Sequence, residues 1–156
     1  MKDDCHVWPV GRVIRDHGKT YIEMKEEHLP GLLGIEGFSH LEITWWCHEL
    51  DTAEHRRTHQ FDPPFPAPRL GVFASRAPFR PNPLATSVVP LIGLDIEHGR
   101  VLIGAIDAYT KTPVIDLKPY MPMYSRVRKP NVPEWAAGWP EWTPDDGIEP
   151  DGIPNN

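Results

Sequence analysis

The segment Leu41-Glu42-Ile43-Thr44-Trp45-Trp46-Cys47-His48 governs the reading of the whole chain. Leu41, Ile43, Trp45 and Cys47 alternate with Glu42, Thr44, Trp46 and His48. A period of two sends one row into a core and the other away from it, so the segment reads as a half-buried strand. Cys47 falls in the inward row and is expected to pack as a small hydrophobe. The strand delivers His48 and Glu49 at its end, where functional side chains often sit.

The flanking sequence continues the strand pattern. Val7 to Arg15 reads as a strand with Val10 and Gly11 near its middle, and Tyr21 to Met24 as its hairpin partner across Asp16-His17-Gly18-Lys19. Ser87 to Ile96 and Arg100 to Ala105 form a second hairpin across Glu97-His98-Gly99, with glycine supplying a positive φ. Val114 to Leu117 is a further short strand. Thr52 to His59 has no apolar face and reads as a short polar helix or an irregular loop. Phe61 to Arg69 carries four prolines and is a loop. Strand–helix alternation and a Gly-x-Gly-x-x-Gly turn are both missing, which argues against a dinucleotide-binding parallel sheet. The chain is expected to be mainly β with few short helices.

Gly71 to Pro83 (GVFASRAPFRPNP) joins a short apolar strand pattern to a loop with two arginines and three prolines within eight residues. Proline fixes its own φ and restricts the residue before it, so Arg76 and Arg80 project from a stiff loop. Planar, permanently charged forks on such a loop suit a carboxylate or a phosphate.

Composition sets wider bounds. A chain of 156 residues with 40% hydrophobic content and six tryptophans is expected to form one globular domain. No apolar run approaches the ~20 residues that span a bilayer, and the N-terminus lacks a secretory h-region, so a cytoplasmic protein without membrane attachment is expected. Two cysteines make no disulfide framework. A net charge of −6 argues against a generic nucleic-acid binder, although Arg56, Arg57, Arg76, Arg80, Lys111, Lys118 and the Arg126–Lys129 run supply local positive charge. His55 and His59 lie four apart, but no third ligand has diagnostic spacing and two arginines separate them, so no metal is expected.

Four segments together resemble the TsaA-like family, known for its TrmO-type tRNA methyltransferases. They are Gly34 to Leu41 (GIEGFSHL), Cys47-His48-Glu49, Gly71 to Asn82, and Asp107 to Tyr120 (DAYTKTPVIDLKPY). The resemblance covers roughly residues 8 to 124. It implies a single-domain, antiparallel β-barrel-like fold over residues 1–125, a homodimer, and S-adenosylmethionine as cofactor. By the same resemblance Arg76 binds the cofactor with His48 and Glu49, Leu84 to Thr86 line the pocket, and Thr110, Lys111, Thr112 and Pro113 close it. Arg80 and Asn82 are assigned to holding the pocket or orienting the acceptor, and Asp107 and Asp116 are candidate proton acceptors. The implied activity is methylation of threonylcarbamoyl-adenosine in tRNA near the anticodon. A small-metabolite acceptor and a non-catalytic module that binds cofactor or a partner are the alternatives.

Two departures from the family pattern stand out. Thr110-Lys111-Thr112-Pro113 replaces Asp-Gly-Thr-Pro, which removes the glycine best suited to φ > 0 and brings a long cation to the pocket edge. Asp16 to Leu33 is short and has no counterpart of the Pro-Arg-Gln segment that helps enclose the cofactor. The remaining segment, 126–156, holds six prolines and three tryptophans and is expected to be an extended arm. Its indoles either pack on the body or a second subunit, or line a cover over the site. Residues after Trp142 are expected to be disordered.

Overall fold

The structure is a computed structural model that describes residues 5–150. The first hairpin pairs β1 (Gly11–Asp16) with β2 (Lys19–Met24) in a register that sets Asp16 opposite Lys19. Its two turn residues, His17 and Gly18, both have positive φ (47° and 73°), as two-residue turns matched to strand twist require. The strand begins at Gly11 and not at Val7. Lys25 N–H donates to the Val10 carbonyl and Val10 N–H to that of Val114, so the sheet bonding starts one residue before Gly11.

The half-buried strand is β3 (His40–Trp46), whose burial alternates residue by residue. After it come a 3-10 turn at His48–Leu50 and helix α1 (Ala53–Arg57), with the Thr52 hydroxyl capping the His55 N–H. Gln60–Phe61 (β4) and Leu70–Gly71 (β5) pair across the proline loop. The apolar stretch after Gly71 is a 3-10 turn over Val72–Ala74, not a strand. Next come β6 (Leu84–Asp95), β7 (Arg100–Ile103) and β8 (Pro113–Pro119), and then a single turn of helix, α2 (Pro122–Ser125). Gly99 has a positive φ of 64° in the β6–β7 turn.

Six strands close into an antiparallel barrel in the order β1-β2-β7-β6-β3-β8. The strand β3 is bonded along both edges, to β6 and to β8, with a bulge against β8 at Thr44/Trp45. Val13, Ile22, Leu41, Ile43, Val89, Val101 and Val114 fill the interior at 0% exposure. Burial of each such side chain contributes about 1.5–3 kcal/mol. Cys47 belongs to this core.

The arm packs on the body. Trp135 stacks on Phe65 of the proline loop and Trp139 meets it edge-on, at centroid distances of 5.7 and 5.2 Å, and within the arm Arg126 lies over the Trp142 ring. Beyond Trp142, where disorder was expected, the structure describes the chain to residue 150; residues 151–156 lie outside the described residues. A parallel bridge joins Gly147 to Ala105, the Ala105 N–H donates to the Asp146 carbonyl at 2.7 Å, and Glu149 approaches Arg15 at 3.6 Å. Gly147 has φ +91°, and a Cβ there would lie 2.1 Å from the Ala105 carbonyl oxygen.

Gly147→Ala is therefore expected to release the arm's end. Hydrogen exchange at the Ala105 amide should speed up by about tenfold or more, while the Val101 amide stays as slow as in the parent. An unchanged Ala105 rate would mean that this contact does not hold the arm.

Candidate active site

The C-terminal end of β3 and the N-terminal ends of β6 and β8 meet at one end of the barrel, because Trp46 pairs with Leu84 and Trp45 with Val114. Most of the residues expected to be functional are gathered there. His48 leaves β3 with its Nδ1 3.5 Å from the Thr112 hydroxyl, and Thr112 is 1% exposed. Two segments 64 residues apart are thus brought together. Glu49, next to His48, is exposed and has no hydrogen bond or ion pair among the described residues.

The turn carrying Thr110 to Pro113 is pinned to β1. Lys111 N–H donates to the Val13 carbonyl (2.6 Å), Val13 N–H to the Thr112 carbonyl (2.9 Å), and Arg15 N–H to the Thr110 hydroxyl (3.3 Å). Lys111 has φ +69°, so the left-handed conformation persists although the residue is not glycine. Pro113 opens β8 opposite Arg12.

The arginine loop divides into two functions. Arg80 directs its guanidinium back onto the loop, toward the carbonyls of Val72 (3.1 Å), Ala77 (3.3 Å) and Ser75 (3.5 Å). Three of its N–H donors are used within the loop, which gives it a fastening role. Arg76 is exposed and donates from one arm to the Thr86 carbonyl. That carbonyl belongs to the stretch of β6 that β7 does not reach, since β7 pairs with β6 only from Leu91 onward. The rest of the Arg76 fork has no partner among the described residues. Asn82 is exposed, and its carbonyl closes a tight turn to the Leu84 N–H at 2.7 Å. Leu84 and Thr86 share the outer face of β6 and stand opposite Trp46 and Thr44.

The two candidate carboxylates are separated by the barrel wall. Asp116 faces outward opposite Thr44 and is ion-paired with Lys118. Asp107 accepts a hydrogen bond from the Ser87 hydroxyl, which in turn accepts from Trp45 Nε1 at 2.8 Å. Because Trp45 and Ser87 both belong to the inward rows, Asp107 sits where the core opens at the end of the barrel. Asp107 thus lies toward the core side, and Asp116 lies on the outer face in one cross-strand row with Thr44 and Thr86.

Sequence reading missed three contributors. Arg15 donates to the carbonyls of Ala108 and Ile106, both at 2.6 Å, and so fixes the segment that carries Asp107. Ser87 links Trp45 to Asp107. Asp51, Arg56 and Trp46 form a cluster in which the Trp46 indole donates to Asp51 (2.9 Å), Arg56 pairs with Asp51, and Arg56 reaches the Pro81 carbonyl (3.3 Å). Hydrogen bonding from Arg56 holds the Asp51 carboxyl below its ordinary pKa. Contacts of this kind span up to 93 residues and leave no local signal. His55 stacks on Phe79 at 6.2 Å and bonds to Thr52, a packing role for one of the paired histidines.

Burial, with a further contribution from Asp107 and an opposing one from Arg80, pushes the Cys47 thiol up to about 11. At pH 8 the folded protein is therefore expected to react with iodoacetamide at the exposed Cys5 and not at Cys47. Mass spectrometry should find one labelled thiol per folded chain and two after unfolding. Rapid native labelling of Cys47 would contradict the burial assigned to it.

The family model of the tRNA-methyltransferase O N-terminal domain matches residues 4–126. A probable S-adenosyl-L-methionine-binding protein of Methanocaldococcus jannaschii is 33% identical over 112 residues, which cover 70% of this chain and 87% of that protein. The tRNA (adenine(37)-N6)-methyltransferase of Escherichia coli is 30% identical over 136 residues, which cover 86% of this chain and 56% of that enzyme. The crystal structure of TrmO from Pseudomonas aeruginosa is similar with a TM-score of 0.62 at 26% identity, over 82% of this chain and 61% of that one. The chain thus spans most of the archaeal relative but little more than half of the two bacterial proteins.

Proposed function

The chain belongs to the tRNA-methyltransferase O N-terminal domain family, and from that membership and the site geometry we propose that it is an S-adenosylmethionine-dependent methyltransferase acting on an adenosine of tRNA near the anticodon, threonylcarbamoyl-adenosine. The observation that carries this reading is the convergence of Arg76–Thr86 and His48–Thr112 at one end of the barrel.

The residues suit the cofactor's chemistry. Arg76 keeps free donors for a carboxylate, Trp46 and Leu84 offer apolar surface beside Thr86, and the pinned Thr110–Pro113 turn offers backbone groups. The bound cofactor supplies an electrophilic methyl group on sulfur. The chain's own part is alignment and exclusion of water, and positioning of this kind accounts for about 7–11 kcal/mol of a barrier. As the acceptor nitrogen gains the methyl group it loses a proton. Asp107 holds one carboxylate oxygen on Ser87, and the other is open to take that proton. Arg76 is exposed in the single chain. A homodimer gives the face around it its cover. Ser125 ties α2 to Glu42 on the outer wall of β3 and leaves Met123 and Tyr124 exposed beside it. The competing acceptor is a small metabolite, favoured by the net charge of −6.

At a concentration 100 times its Kd, S-adenosylmethionine should stabilise the folded protein by about 2.7 kcal/mol, seen as a rise in Tm. Arg76→Ala should weaken that binding about 10- to 100-fold with little change in the ligand-free Tm, as measured by calorimetry. Arg80→Ala should instead lower the ligand-free Tm, by about 2 kcal/mol of stability, because it unfastens three carbonyls. Equal cofactor affinities for Arg76→Ala and the parent would remove Arg76 from the site. With bulk tRNA and methyl-labelled cofactor, label should enter nucleic acid, and its absence would leave the small-metabolite reading.

A further inference from the structure

On the outer side of the Tyr109–Thr112 turn, away from His48, lies a groove of about 370 Å³. It is lined by Pro9, Gly11, Arg12, Glu23, Met24, Lys25, Lys111 and Pro113. Its charge runs against that of the whole chain. Three cations face one carboxylate, Glu23, and that carboxylate is already paired with Arg12 at 3.2 Å. Lys25 and Lys111 have no acidic partner within ion-pair distance among the described residues, so the lining carries two uncompensated positive charges in a protein of net charge −6. Acidic Glu26 and Glu27, with Lys25, line a neighbouring concavity and bound the positive strip on that side.

Lys111 is the second observation. Its φ of +69° is set by the turn, in which the Lys111 N–H must reach the Val13 carbonyl and the Thr112 N–H the Tyr109 carbonyl (3.2 Å). Glycine meets that geometry without strain, whereas a side chain there is strained. His17, which also has a positive φ, has the tight hairpin turn as its reason and an exposed ring. At Lys111 the strained residue instead places a cation on the lip of a groove whose other wall already carries Arg12 and Lys25.

We propose that this groove is a docking track for the phosphate backbone of the RNA substrate, with Lys25 and Lys111 as the phosphate-contacting residues. This deepens the tRNA reading and rests on it. The apolar floor of Pro9, Met24 and Pro113 accommodates sugar edges. The same turn bears Lys111 on the groove side and Thr112 against His48 on the other, so a strand held on the lysines lies one turn of chain from the site. The track explains how an acidic protein holds a polyanion: local neutralisation over a few phosphates, on a strip that Glu26 and Glu27 bound on one side.

The test is the salt dependence of tRNA binding for Lys25→Gln and Lys111→Gly, with methyl transfer to tRNA followed in parallel. Each lost phosphate contact should reduce the slope of log K against log salt by about 0.7, which at 0.1 M salt is roughly 5-fold weaker binding per lysine and about 25-fold for the double variant. Lys25→Gln should keep the parent Tm. Lys111→Gly should keep or raise it, since the strain is relieved, while tRNA binding falls. A purely structural lysine would move both quantities together. Parent affinity and slope in both variants, with methyl groups still entering tRNA, would overturn the groove and leave the tRNA reading standing. If the parent neither binds nor methylates tRNA, the tRNA reading falls and the groove assignment with it.

Discussion

The barrel closes over a very short seam, and the rest of the architecture depends on it. The strands β1 and β8 are registered through two residue pairs, Gly11 with Val114 and Arg12 with Pro113, extended on either side by Val10 N–H to the Val114 carbonyl and Val13 N–H to the Thr112 carbonyl. At Gly11 the chain is flanked on both edges, by Met24 of β2 and by Val114. A Cβ at Gly11 would come within 2.5 Å of the Glu23 carbonyl oxygen, so the seam and the β1–β2 pairing can coexist there only without a side chain. Closure satisfies backbone groups that an open sheet would leave at its edges. It also brings the Tyr109–Pro113 turn back over the end of the barrel.

From that closure the candidate site follows. The turn held against Val13 presents Thr112 to His48, and the bulge at Thr44/Trp45 lets β3 bend to meet both neighbours. The arginine loop crosses the free edge of β6, where one arginine ties the loop to itself and the other caps a strand carbonyl with donors to spare. The division of labour between Arg80 and Arg76 has a simple physical origin. A guanidinium bonded to three carbonyls of its own loop is held to that loop, whereas one with a single partner at an exposed edge can take a ligand's carboxylate. The arm adds a brace at two places, the proline loop through Phe65 and the Ala105–Ala108 segment through Gly147 and Glu149. Both braced segments lead directly into site residues.

Much of this was legible in the residue order because it depends on local rules. Alternation in Leu41–His48 placed Cys47 in the core, turn chemistry placed His17-Gly18 and Gly99, and proline density marked the loop over Phe61 to Arg69, of which only Phe61 belongs to a strand, β4. Where the local rules misled, the cause was long-range. Val7 to Pro9 has strand-like residues but pairs with no strand, since the sheet bonds begin at Val10. Val72 to Ala74 turns in 3-10 fashion because the Val72 carbonyl is claimed by Arg80 and Ser75. The residues after Trp142 looked like a frayed end, yet Gly147 finds the Ala105 edge, a partner 42 positions away that no local pattern announces.

The sequence by itself determined the β character, the inward row of β3, the stiff arginine loop and the family to which these motifs point, since each depends on neighbours within a few residues. The tertiary structure alone decided where the candidates lie: Asp107 against Ser87 at the barrel's end, Asp116 outside against Lys118, Arg80 turned onto its own loop and Arg76 exposed. It also decided that Lys111 keeps a left-handed backbone without glycine, because the hydrogen bond to Val13, formed across the closed seam, outweighs a residue's intrinsic preference.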